Sequence, residues 1–99
     1  MKDKSMNRIP THPGEILKDE LEAREISING FARSIGVTSG RISQIIQGKR
    51  SVTPNTALRL ARYFGNSPEF WMNLQVHYDL AIAQRYLDEN SNTQVVVAR

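Results

Sequence analysis

The chain has 99 residues, 39% of them hydrophobic and 23% charged, with a formal net charge of +3, which suits one domain near the small end of those that bury their own core. No apolar run approaches the ~18 residues of a transmembrane helix, the charged start Met1–Arg8 lacks the apolar stretch of a secretory signal, and the absence of cysteine removes disulfides and thiolate metal sites and suits a reducing cytoplasm. His12 and His77 stand far apart without ligand-like spacing, so neither a metal nor a cofactor is expected.

Residues 1–11 are polar and charged and read as a mobile segment. A first helix opens at Pro13, a residue preorganised for the first helical position, with Ile16, Leu17 and Leu21 on its buried face. His12 stands where an N-cap is wanted. Ser27 caps a second helix, in which Ile28, Phe31, Ala32 and Ile35 recur at helical spacing. Gly36 ends it in the place of a left-handed residue. Thr38 caps a third helix that runs to about Gln47, buries Ile42, Ile45 and Ile46, and stops at Gly48. Thr53-Pro54 starts a fourth, which turns Ala57, Leu60, Ala61 and Phe64 inward and stops at Gly65. Ser67-Pro68 starts a fifth, long helix running to about Asp88, with Phe70, Trp71, Leu74, Tyr78, Ala81, Ile82 and Tyr86 along it. Asn90 to Thr93 reads as a turn, and Gln94 to Ala98, a β-branched run, as a short strand. The expectation is therefore an all-α fold of five helices with a possible terminal strand: one domain over residues 12–88 and an interface tail over 89–99.

The second and third helices carry a specific spacing. Ala32 is small, Gly36 follows four residues later, and Ile42 and Ile45 lie six and nine beyond the glycine. That is the pattern of a helix–turn–helix, in which the second helix enters the major groove of DNA. Charge agrees with it. From Ile26 to Pro68 there are six basic residues, Arg33, Arg41, Lys49, Arg50, Arg59 and Arg62, and no acid, so this stretch is +6 against −3 for the rest. A block this one-sided is the footprint of a polyanion.

With its isoleucines buried, the third helix shows Ser39, Gly40, Arg41, Ser43, Gln44 and Gln47. On an isolated helix such a face is ordinarily just solvated; the turn spacing and the charge block favour the groove. Gln44 can pair with adenine through both ends of its amide, and Ser39 and Ser43 can meet either base type. Gly40 costs roughly 1 kcal/mol of helix stability against alanine and lets the backbone sit close to the groove floor. Arg41, Lys49 and Arg50 are assigned to phosphates. So are the helix starts around Asn29 and around Thr53 and Asn55, which present free N–H groups. Arg59 and Arg62 read as plain surface charges, Trp71 as core, and His77 as surface. Tyr78, Ile82 and Tyr86, with Val95 and Val97 of the tail, are more apolar than one small bundle requires and are assigned to a dimer or partner interface.

These words also resemble a known family. His12-Pro13-Gly14-Glu15-Ile16-Leu17, the block Val37 to Arg50, Thr53 to Ala61, and Ser67-Pro68-Glu69-Phe70-Trp71-Met72-Asn73-Leu74-Gln75 with Tyr78-Asp79-Leu80 resemble the HigA/VapI antitoxins, within the XRE/Cro-like helix–turn–helix proteins. The resemblance covers about His12 to Arg85. It implies a lambda-repressor-like fold and a cytoplasmic bacterial homodimer. It implies binding to operator DNA before the protein's own operon, and neutralisation of a RelE-like mRNA-cleaving toxin, HigB. It places Ser39, Gly40, Ser43 and Gln44 at base-reading positions and Arg41 and Lys49 at phosphate-contacting ones. Related helices commonly carry a larger residue where this chain has Gly40. Two further readings compete: a stand-alone repressor without a toxin, and an interaction scaffold that does not bind DNA, against which the acid-free block argues. Catalysis is the weakest reading, because no Ser, His and carboxylate cluster and no phosphate-cradling glycine loop is visible.

Overall fold

The structure, a computed structural model, describes residues 9–90 and 95–98. Five helices follow in order: α1 Pro13–Ala23, α2 Ile28–Ile35, α3 Ser39–Ile46, α4 Pro54–Phe64 and α5 Pro68–Glu89. Each starts on a residue whose side chain accepts a first-turn N–H: His12, Ser27, Thr38, Thr53 and Ser67. Proline occupies the first position of α1, α4 and α5, where a missing N–H costs nothing. Gly36 and Gly65 end α2 and α4 in the left-handed region, at φ 75° and 74°.

The end of α1 departs from this punctuation. Arg24 is the C-cap, and the next residue, Glu25, takes the left-handed conformation at φ 56°. The Ile26 N–H closes the turn on the Leu21 carbonyl at 2.9 Å. A side chain in that conformation costs about 1–2 kcal/mol, and a carboxylate at a helix C-terminus opposes the dipole. Glu25→Gly should therefore raise stability by about 1 kcal/mol in chemical denaturation; an unchanged or lower midpoint would show that the left-handed turn carries no strain.

The core is Leu17, Leu21, Phe31, Ala32, Ile35, Ile42, Ile45, Val52, Ala57, Leu60, Ala61 and Trp71, drawn from all five helices and the α3–α4 loop. Phe64 lies between Phe31 and Trp71, with ring centroids at 5.6 and 5.8 Å. Trp71 donates its indole N–H to Asn66 Oδ1 at 3.0 Å, so its polar atom is satisfied where its ring is buried. Gln75 is buried beside it. Its Oε1 accepts the Val52 N–H at 2.7 Å and its Nε2 donates to Asp79 Oδ1 at 3.0 Å. This polar strut ties α5 to the α3–α4 loop.

The expected terminal strand is not formed. Val95–Ala98 carry no strand, and Val95 and Val97 are 83% and 72% exposed; Gln94 lies outside the described residues, as do residues 1–8 of the expected mobile segment. The reason is that a strand needs a partner for its backbone, and among the described residues none exists. The helix before it is longer than its packing demands. Trp71 and Gln75 are the buried residues of α5, while Leu80, Ile82, Tyr86 and Leu87 near its end are exposed.

Candidate nucleic-acid interface

Ile42 and Ile45 are fully buried, and this fixes the rotation of α3. On the other side Ser39, Gly40, Gln44 and Gln47 are exposed, with Arg41 and Ser43 half-buried at the edge. A Cβ built on Gly40 would meet nothing within 4 Å. The fold itself thus places no demand for glycine there, and the residue leaves open space on the outward face.

The helix end is folded back on itself. Gly48, at φ 76°, lets its own N–H reach the Ile45 carbonyl and the Lys49 N–H reach the Gln44 carbonyl, both at 2.9 Å. Lys49 and Arg50 emerge exposed beside α3. Arg50 Nε donates to Gln44 Oε1 at 2.8 Å, and Gln47 Nε2 donates to Ser43 Oγ at 3.0 Å. Gln44 and Ser43 are therefore each held by a side-chain partner rather than freely solvated.

Asn29 and Asn55 are exposed in the first turns of α2 and α4, where N–H groups have no intrahelical acceptor. Thr53 serves the helix start: its Oγ1 accepts the Thr56 N–H and donates to Thr56 Oγ1, both at 3.3 Å. Arg59 corrects its reading as a plain surface charge. It is half-buried, its Nε donates to Asn55 Oδ1 at 2.8 Å, and its Nη1 donates to the Ile35 carbonyl at 2.8 Å. It straps α4 to the C-terminal end of α2 and holds Asn55 by the oxygen, leaving the NH2 of that amide as the outward donor. Sequence reasoning missed it because the contact depends on how two helices cross.

The residues assigned to a protein interface divide. Tyr78, Ile82 and Tyr86 share one side of α5 with Asp79, Ala83 and Leu87 and line an open groove of about 610 Å³. Val95 and Val97 are exposed in the tail. Tyr78 also meets His12 edge-on, with ring centroids at 4.8 Å.

His12 Nδ1 accepts the Gly14 N–H at 2.9 Å, which only the neutral ring can do. Burial lowers its pKa below 6.5, against the opposing pull of Asp79 and Glu15. Since the folded value lies below the unfolded one, the unfolded chain binds the proton more readily. The contribution of His12 is complete above pH 6.5 and is lost as pH falls through the folded pKa. Thermal melts between about pH 7.5 and pH 5.5 should show declining stability. His12→Asn, which can still cap, should flatten that slope; an unaltered slope would place its origin elsewhere.

Comparison with known proteins agrees with this geometry. The family model described as Helix-turn-helix matches residues 17–71. Virulence-associated protein I of Dichelobacter nodosus is 42% identical over 81 residues, covering 80% of this chain and 75% of that protein. An addiction module antidote protein of the HigA family from Coxiella burnetii superposes with a TM-score of 0.82 at 40% identity, covering 92% of this chain and 100% of the other. The Pseudomonas aeruginosa antitoxin HigA, solved with the higBA promoter, superposes with a TM-score of 0.82 at 37% identity over 91% of this chain and 99% of that one. With the buried isoleucines, the left-handed Gly36 and the polar outward face of α3 in place, the chain belongs to the XRE-type helix–turn–helix family, in the group that holds the HigA antitoxins and virulence-associated protein I.

Proposed function

We propose that this chain is an autoregulatory antitoxin: a cytoplasmic homodimer that binds operator DNA through α3 and neutralises a RelE-like mRNA-cleaving toxin. The observation that carries the reading is the acid-free segment Ile26–Pro68 wrapped around an exposed, hydrogen-bonded polar face on α3. The promoter-bound Pseudomonas aeruginosa HigA, with the same fold, supports it. Ser39, Gly40, Ser43 and Gln44 face the base edges; Asn29, Arg41, Lys49, Thr53 and Asn55 flank them towards the phosphates, and Arg50, assigned to a phosphate on sequence alone, lies against Gln44. Two copies of α3 reach successive major grooves about 34–36 Å apart, so the operator is near-palindromic with half-sites one turn apart. The apolar side of α5 around Tyr78, Ile82 and Tyr86 serves the dimer or the toxin.

The test is a binding-site selection coupled to a pull-down with the product of the adjacent gene. Gln44→Ala is expected to cost about 1–3 kcal/mol and relax preference at one base pair. Lys49→Ala is expected to weaken all sequences alike and flatten the salt slope by about one unit. A Gln44→Ala protein with intact sequence preference would remove α3 from base reading. Operator binding without capture of a RelE-like neighbour would instead identify a stand-alone regulator.

A further inference from the structure

We infer that Arg50 is a specificity-determining residue: it holds the Gln44 amide by its oxygen, presents the amide NH2 as a donor, and so sets the base read by Gln44 to guanine. This rests on the DNA-binding reading above and refines it. The observation is the 2.8 Å hydrogen bond from Arg50 Nε to Gln44 Oε1. A guanidinium nitrogen can only donate. The atom it meets must therefore be the amide oxygen, and the NH2 lies on the other side of the amide carbon. The local backbone builds this contact. The left-handed Gly48 and the Lys49 N–H bond to the Gln44 carbonyl turn the chain back along α3, bringing Arg50 to a residue six positions earlier. Both side chains are exposed, in a segment without any carboxylate of its own to draw the arginine away.

The consequence is one of polarity. An unconstrained glutamine reads adenine with both ends of its amide, accepting from N6 and donating to N7. Here Oε1 is already engaged in a charge-assisted bond, and a positive guanidinium stands beside it. The adenine amino group would have to share that oxygen through its remaining lone pair and would meet a neighbour of like sign. Guanine offers O6 and N7, both acceptors, to the Gln44 NH2. Ser43 has the same polarity: its Oγ accepts from Gln47 Nε2, which leaves the hydroxyl hydrogen for an acceptor.

The test is binding-site selection with the parent protein, Gln44→Ala, Arg50→Met and the double variant. Gln44→Ala identifies the base pair. At that position the parent should favour guanine over adenine by about fivefold or more. Arg50→Met should move the preference to adenine and leave the other positions alone. In the Gln44→Ala background, Arg50→Met should change no base preference, because the two act as one unit. Arg50 is exposed, so the variant should melt with the parent. If Arg50→Met weakens every sequence equally with the guanine preference intact, Arg50 is a phosphate contact and the inference is overturned. It is equally overturned if the parent selects adenine there, or if Gln44→Ala loses no position. A parent protein that selects no sequence at all would defeat the DNA-binding reading itself, a result distinct from a selected operator whose preference Arg50→Met does not move.

Discussion

Gly14→Ala is expected to destabilise the protein by about 3 kcal/mol, the upper end of what overpacking costs. A Cβ on Gly14 would overlap the carbonyl oxygen of Ile45, sit 2.7 Å from its carbonyl carbon and press on His12 Nδ1 at 3.0 Å. The obstacle is backbone at the end of α3, not the tip of a flexible side chain, so relief requires α1 or α3 to move. That movement would also disturb the His12 cap, whose acceptor bond runs to the Gly14 N–H. Denaturant unfolding measures the loss directly. Operator affinity, measured well below the melting point, should fall as well, because α3 is the element displaced. A stability change within about 0.5 kcal/mol, the range of ordinary surface substitutions, would mean that the α1–α3 junction is looser than the geometry states.

The second large effect is expected on the other side of the same residue pair. The Ile45 side chain is fully buried, as are Ile42 and Phe31, with Ala32 almost so. Ile45→Ala removes three carbons from that contact and should cost about 2–5 kcal/mol, depending on how far α2 and α3 collapse into the space. For a domain whose whole stability is about 5–15 kcal/mol, this is a large fraction. The melt should shift while m-values stay near the parent's. A near-neutral result would remove Ile45 from the core and undercut the rotational register that turns Ser43 and Gln44 outward.

Most of the helical framework is legible because its determinants are local. An N-cap side-chain acceptor reaches an N–H two or three residues on, and a left-handed glycine satisfies carbonyls within the preceding turn. Both interactions lie within one turn and can be read as words. The spacing from Ala32 through Gly36 to Ile42 and Ile45 is legible for the same reason, because two short helices joined by three residues have few ways to pack. Glu25 escaped this reading since its left-handed position carries no glycine to announce it.

The sequence by itself determined the five helices, their starts, the buried faces of α2 and α3 and the acid-free block, since each follows from periodicity, capping chemistry or plain charge counting. The tertiary structure decided what depends on distant chain segments. Arg59 meets the Ile35 carbonyl across 24 residues and Gln75 meets the Val52 N–H across 23; no local rule brings such groups together. Only the crossing of α1 over α3 makes Gly14 indispensable and leaves Gly40 without any steric demand. The tail carries the converse lesson. Val95–Val97 have strand-forming side chains, yet the described chain supplies no second backbone edge to pair with, and β-structure is a property of a pair rather than of a segment.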